Sequence, residues 1–309
     1  MVTANELVKT YNKGEVLAVD KVSFEINEGE IFGLIGPDGA GKTSIFRMLT
    51  TLLLPDSGSA KVNGFDVVKE YKSIRKTIGY MPGRFSLYQD LSVEENLDFF
   101  ATVFETTVEE NYDLIRDIYV QLEPFKKRRA GKLSGGMKQK LALCCTLIHK
   151  PTVLFLDEPT TGVDPVSRRE FWEMLKRLQK AGITILVSTP YMDEADLCDR
   201  IALIQNGKIL SIDTPANISS LYPDQLFEVK APKMHALLKT LPKFSKTKAS
   251  YAFGEYAHLA TDREPFSNGE GFEDFEKQLK DYLHQQGIGN ITVKPVKASV
   301  EDSFIKLLK

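Results

Sequence analysis

The sequence has few cysteines, almost no net charge and no long apolar run, and each shortage removes a class of protein. Its 309 residues include three cysteines, Cys144, Cys145 and Cys198. Two are adjacent and the count is odd, which makes a poor disulfide framework and no metal site by itself. They read as small apolar fillers in a reducing compartment. The formal net charge is -2, which argues against nucleic acid as a partner, because binding a phosphate backbone takes a concentrated basic surface. The one basic run, Lys126-Lys127-Arg128-Arg129, reads as a solvated loop or helix end, with a contact to an anionic partner as the alternative. No apolar stretch approaches the roughly 20 residues of a membrane-crossing helix. Residues 1–6 carry no basic segment followed by an apolar one, so no signal peptide is expected. The chain reads as cytosolic, and any membrane role must come through a partner.

What is present is an alternation of strand and helix patterns. Hydrophobic residues make up 42% of the chain, enough for one large domain and one small one. Val16 to Ile26 suggests edge strands, and the apolar run Ile31 to Ile35 a buried strand. Ser44 to Leu53 reads as the helix that follows. Three helical stretches fill the middle of the chain. Val93 to Phe104 starts from Ser92 with Glu95 three residues on, a capping box; Glu109 to Leu122 and Ser134 to His149 follow. Strand patterns return at Thr152 to Leu156, Ile183 to Ser188 and Ile201 to Ile204, with a helix over Arg168 to Gln179 and a hairpin turn at Asn206-Gly207. This alternation predicts an α/β layer architecture with a mostly parallel sheet. After Pro215 a smaller α/β region begins. Its strands and helices suggest a two-layer β-α-β-β-α-β arrangement, with a polar loop over Pro265 to Gly271.

Three local patterns carry chemistry. The first is Gly36-Pro37-Asp38-Gly39-Ala40-Gly41-Lys42-Thr43, set between a buried strand and a helix with Ser44 in its first turn. Glycines there permit the tight turns that let backbone N–H groups converge on phosphate oxygens. The helix N-terminus adds a favourable field. Lys42 can reach the β- and γ-phosphates, and the Thr43 hydroxyl can ligate Mg²⁺. The second is Val153-Leu154-Phe155-Leu156-Asp157-Glu158, an apolar strand ending in two acids. Asp157 is placed to hold Mg²⁺, and Glu158 to polarise an attacking water. The third is Leu133-Ser134-Gly135-Gly136-Met137-Lys138-Gln139, where serine and two glycines at a helix start offer another anion-binding surface. That element makes sense if Ser134, Gly135 and Gly136 face a phosphate held by a second chain.

With these motifs in this order, the sequence resembles the nucleotide-binding subunit of an ATP-binding cassette (ABC) transporter over about residues 5–215. The three patterns correspond to the Walker A, Walker B and signature motifs. Thr161-Gly162-Val163-Asp164 matches the D-loop, and Tyr11 falls where the family stacks an aromatic ring on adenine. The wording around Gly36 and Ser134 is most similar to multidrug and ABC-2 type exporter ATPases. The resemblance implies a P-loop NTPase fold: an ABC-type ATPase domain over residues 1–215, with a helical signature subdomain at about 85–150, and a small C-terminal α/β accessory domain at 216–309. It implies ATP and Mg²⁺ as ligands, Glu158 as the catalytic residue, Thr43 and Asp157 as metal ligands, and Asp164 among the nucleotide-site residues. It also implies a second ABC ATPase subunit, identical or not, and polytopic permease subunits as partners, with the chain peripheral on the cytoplasmic face of the membrane. Hydrolysis would energise transport, in the export direction.

Two positions depart from the family pattern. Where the family has Gln after the strand reading Ile78-Gly79-Tyr80-Met81-Pro82, this chain has Gly83. Where the family has His after the strand Ile183 to Thr189, it has Pro190, whose side chain can neither accept nor donate a proton. These changes bear on hydrolysis more than on ATP binding. They leave open a subunit of reduced turnover that works beside a catalytically complete partner. A soluble, non-transport ABC ATPase is the other alternative.

Overall fold

The N-terminal segment folds as an antiparallel pair, β1 (Val2–Tyr11) with β2 (Val16–Ile26). Strand β1 is not signalled by the sequence. Its register shifts and a positive φ at Glu6 break the strict alternation that marks a strand. The wholly buried β3 (Ile31–Ile35) follows, then α1 (Lys42–Leu49). Helix α1 starts two residues before the expected Ser44 and stops four before Leu53, because Thr51 takes a left-handed φ of 63°. Next come β4 (Ser57–Val62), β5 (Phe65–Asp66), an unanticipated short helix α2 (Tyr71–Thr77) and β6 (Ile78–Met81). The structure, a computed structural model, describes residues 1–263 and 271–308.

The middle of the chain is helical, as predicted. Helix α3 (Val93–Val103) has the full Ser92/Glu95 capping box. The stretch from Glu109 is not one helix. A 3₁₀ turn at Glu109–Asn111 precedes α4 (Tyr112–Tyr119), because Asn111 leaves helical geometry and donates its amide to Thr106 Oγ1 and to the carbonyl of Ile148. Lys126, Lys127, Arg128 and Arg129 are all exposed. Then come α5 (Gly135–Leu147), the fully buried β7 (Val153–Asp157), α6 (Pro165–Lys180), β8 (Thr184–Thr189), a 3₁₀ segment Met192–Leu197, β9 (Arg200–Gln205), β10 (Lys208–Asp213) and α7 (Pro215–Ser220).

The main sheet runs β10-β9-β3-β8-β7-β6, with only β10 antiparallel. A second, antiparallel sheet, β2-β1-β4-β5, shares with it a core that includes Phe32, Leu34, Phe46, Phe155 and Leu186. Strands covered on both faces read as unbroken apolar runs, which is why β3 and β7 were legible in the sequence. The order places the carboxyl ends of β3, β8 and β7 side by side, with Ile35 opposite Thr189 and Asp157 opposite Ser188. An open parallel sheet presents its ligand crevice at that edge.

Two compact units are distinguished, Met1–Ala216 and Asn217–Lys309. The second contains β11 (Gln225–Lys230), α8 (Met234–Thr240), β12 (Ala249–Phe253), β13 (Tyr256–Thr261), α9 (Gly271–Gln285), β14 (Thr292–Val296) and α10 (Val300–Leu307). Its sheet order is β12-β13-β11-β14, all antiparallel. That is the β-α-β-β-α-β arrangement expected from the sequence, followed by a closing helix, α10, where the sequence predicts one over Ser299 to Leu308. Helix α9 buries Phe275, Leu279 and Leu283 against Phe227, Val229 and Leu259. Up to residue 270, the expected polar loop over 265–271 lies outside the described residues.

Because each unit has its own apolar core, a chain ended after Ala216 should fold by itself. A single cooperative urea transition monitored by circular dichroism is expected for that fragment, and an aggregated or molten fragment would contradict it.

Candidate phosphate-binding site

The loop from β3 to α1 turns on two glycines. A Cβ at Gly36 would lie 2.2 Å from the carbonyl oxygen of Ile204, so no side chain fits there. Gly41 has φ +104°, and a Cβ on it would meet the Ala18 carbonyl oxygen at 2.3 Å. Among the described residues, this tight path leaves the N–H groups of Asp38, Gly39, Gly41, Lys42, Thr43 and Ser44 without a protein acceptor, whereas those of Ala40 and Ile45 bond Pro37 and Gly41. Unpaired donors grouped at a helix N-terminus are the requirement for holding phosphate oxygens.

Lys42 is buried and points back over the loop. Its Nζ donates to the carbonyls of Gly36 at 2.8 Å and Pro37 at 3.0 Å, and lies 3.2 Å from Glu158 Oε1. Thr43 Oγ1 donates to Asp157 Oδ1 at 3.3 Å. Tyr11 Oη is 3.0 Å from Ser44 Oγ, which brings the aromatic ring of β1 to the same helix start. The sequence-predicted residues of the loop, Tyr11, Asp157 and Glu158 therefore converge. A hydroxyl and a carboxylate side by side are oxygen donors suited to Mg²⁺, and the unpaired amides beside Lys42 suit a polyphosphate. The residues present fit Mg-ATP.

The other predicted residues are not joined to this cluster. Ser134 caps α5, its Oγ accepting from Met137 N at 3.4 Å. Ser134 and Gly135 are exposed. Gly136 lies against α6, where a Cβ would come within 2.7 Å of Ser167 Oγ. Among the described residues no hydrogen bond links these three to residues 36–43. Asp164 caps α6, accepting from the N–H groups of Val166 and Ser167 at 3.1 and 3.0 Å. The Ser167 N–H and hydroxyl hold the Asp164 carboxyl below the usual carboxylate range. Its carboxylate serves a helix end within this chain.

One residue of the cluster was missed. Ser188, at the end of β8, donates its hydroxyl to Asp157 Oδ1 at 2.6 Å and accepts from Glu158 N at 3.0 Å. The available signal was a polar Ser-Thr pair closing an otherwise apolar strand. Tyr80 of β6 is also close. Burial, reinforced by the negative charge of Asp157, pushes its phenol up to about 12.

Comparison with known proteins agrees with this geometry. A family model described as "ABC transporter" matches residues 19–161. The doxorubicin resistance ATP-binding protein DrrA of Mycobacterium tuberculosis is 39% identical over 231 residues, covering 74% of this chain and 70% of DrrA. The chain belongs to the ABC transporter family. The probable multidrug ABC transporter ATP-binding protein YbhF of Escherichia coli is 38% identical over 312 residues, covering 100% of this chain and 52% of YbhF, so the chain spans about half the length of that relative. Among solved structures, cbiO1 of Clostridium perfringens, part of the ABC transporter complex cbiONQ, superposes with a TM-score of 0.64 at 26% identity, covering 71% of this chain and 90% of that one. A dimeric ATP-binding cassette in a post-hydrolysis state, bound to ADP and Pi, gives 0.63 at 25% identity, covering 69% and 98%.

The two departures from the family pattern sit beside the cluster. Gly83 is exposed, and a Cβ on it would be 3.0 Å from the Asp157 carbonyl oxygen and 3.7 Å from Glu158 Cβ. Its φ is not left-handed, so a side chain here needs only a shift of some tenths of an ångström. Pro190 directly follows β8. These contacts separate the two kinds of glycine experimentally. Gly41→Ala should cost more than about 2 kcal/mol, from left-handed strain plus overpacking, and Gly83→Ala about 1 kcal/mol or less. Urea melts of the two variants check this, and equal losses would contradict it.

Proposed function

We propose that this chain binds ATP with Mg²⁺ and hydrolyses it to ADP and phosphate, as the energy-supplying subunit of a membrane exporter. One observation carries the reading. Segments 114 residues apart meet at Thr43 and Asp157, and in the same place Lys42 faces Glu158. The names of relatives that refer to multidrug transport and doxorubicin resistance support the export direction.

In this reading the unpaired amides of the 36–43 loop and Lys42 hold the phosphates, with Tyr11 against the base. Thr43 and Asp157 hold Mg²⁺, which when bound would offset phosphate charge. For Lys42 to serve the phosphates it must give up the contact with Glu158. The freed carboxylate then orients and deprotonates water. The exposed Ser134 and Gly135, with Gly136 beside them, meet the phosphates of a second ATPase subunit, and Asp164 fixes the D-loop at that junction. The ATPase domain occupies residues 1–215, with the helical insert at about 85–150, and residues 216–309 form the accessory domain. Gly83 and Pro190 offer no side-chain group to the acid pair, which favours slow turnover. No nucleic acid is involved.

A groove of about 400 Å³ supports a permease as partner. It is lined by Tyr80, Met81, Phe85, Leu87, Phe100 and Phe104 among others, and the Lys138 ammonium lies over the Phe85 ring. No helix among the described residues is long and apolar enough to cross a membrane, so attachment at the cytoplasmic face would rest on such a contact. Tyr80 both lines this groove and lies near Asp157, which gives the partner a route to the acid pair.

Lys42→Ala should weaken ATP binding roughly 10- to 100-fold, the range for losing a charged hydrogen-bonding partner. Glu158→Gln should keep ATP affinity and depress phosphate release by about 10² or more. Nucleotide titration and steady-state phosphate assays decide both, and wild-type values in either variant would contradict the assigned role. Phe85→Glu should leave ATP turnover of the isolated chain within about twofold, because Phe85 lies outside the cluster, and should abolish copurification of a polytopic protein from detergent-solubilised membranes. Undiminished copurification would place the partner elsewhere.

A further inference from the structure

Ser188 has no side-chain access to solvent and lies between the two acids of the site. A serine hydroxyl has one proton to give and lone pairs to accept with. The Glu158 N–H, 3.0 Å away, occupies a lone pair, so the proton is directed to Asp157 Oδ1 at 2.6 Å. The same N–H also donates to the Ser188 carbonyl at 3.1 Å. Glu158 itself sits at φ +50°, a left-handed conformation that costs a side-chain-bearing residue energy and needs surrounding contacts to hold it. Two acceptors on one residue of β8 supply those contacts. With Thr43 and Ser188 both on Oδ1, Asp157 keeps Oδ2 without a donor among the described residues. Pro190 brings no proton-bearing group from the end of β8. Among the described residues, Ser188 is therefore the one β8 side chain hydrogen-bonded to the acid pair.

We infer that Ser188 is a positioning residue for both acids. Its proton fixes which Asp157 oxygen turns to the metal, and its lone pair and carbonyl hold the Glu158 backbone so that the carboxylate is aimed at the water. It touches neither nucleotide nor metal. The inference rests on the ATPase reading above and adds a residue that the family motifs do not contain.

The test uses the full chain, with Mn²⁺ as the metal probe and ATP as the nucleotide. In Ser188→Ala, ATP affinity measured in EDTA should stay within about twofold of wild type. The Mn²⁺ concentration that half-saturates the ATP complex, read by electron paramagnetic resonance, should rise about tenfold. The kcat with Mg²⁺ should fall about tenfold or more, with KM for ATP little changed, and Ser188→Thr, which keeps the hydroxyl, should recover both. If Ser188→Ala does not fold, Ser188→Cys, which keeps the shape with a weaker donor, should give the same Mn²⁺ and kcat shifts. A folded Ala or Cys variant with wild-type Mn²⁺ half-saturation and kcat would overturn the inference. So would a variant whose metal-free ATP affinity falls by the same factor as its kcat, since that is general damage to the site. A wild-type chain that binds no ATP would instead overturn the ATPase reading, and this inference with it.

Discussion

The site depends on one shared oxygen. Asp157 Oδ1 accepts from Thr43 at 3.3 Å and from Ser188 at 2.6 Å, so the start of α1 and the ends of β7 and β8 are tied at a single buried carboxylate. An unpartnered buried carboxylate is costly, whereas one with two hydroxyl donors is tolerated and rigid. The adjacent Lys42–Glu158 pair at 3.2 Å sets the second acid over the same loop. Remove the strand order β3-β8-β7 and none of these contacts can form, because they join segments 31 (Ser188 to Asp157) and 114 (Thr43 to Asp157) residues apart in the chain.

Around this knot the polypeptide presents two different surfaces. On one, the capped start of α5 leaves Ser134 and Gly135 exposed. Among the described residues no hydrogen bond joins this helix N-terminus to the 36–43 loop, and an open helix N-terminus favours an anion. On the other, aromatic and aliphatic side chains from the segment after β6 and from α3 line an apolar groove. Tyr80 lies between groove and acids, kept uncharged by burial and by the nearby Asp157. A segment seated in the groove would press on a neutral, close-packed ring rather than on a mobile charge, and close-packed contacts transmit displacement.

The departures at Gly83 and Pro190 acquire a structural meaning. A side chain at Gly83 would meet the carbonyl of Asp157, and the strand that ends before Pro190 still serves the acid pair through Ser188. The acids are thus held by strand hydroxyl and backbone, with fewer groups free to respond to the phosphate.

Much of this was legible before any coordinates. The wholly buried β3 and β7 are unbroken apolar runs, the Ser92 capping box is local, and the 36–43 loop declares its glycines, lysine and threonine within eight neighbouring positions. Such features are short-range, so residue type and spacing were enough. The C-terminal β-α-β-β-α-β order was legible for the same reason. Residues 2–11, the break at Asn111 and the early end of α1 were not, since register shifts, a side-chain bond to Ile148 and a left-handed Thr51 answer to neighbours distant in sequence or to backbone angles that composition does not encode. Asp164 shows the boundary well. Its place in a motif was read from sequence, but only the fold decided that its carboxylate caps α6. For Ser188 the sequence offered only a polar pair at a strand end, and its partners came from the fold. The sequence determined that a phosphate loop and an acid pair exist. The tertiary structure decided that a serine from a third strand holds the acids together, because only the pairing of β7 with β8 sets Asp157 opposite Ser188.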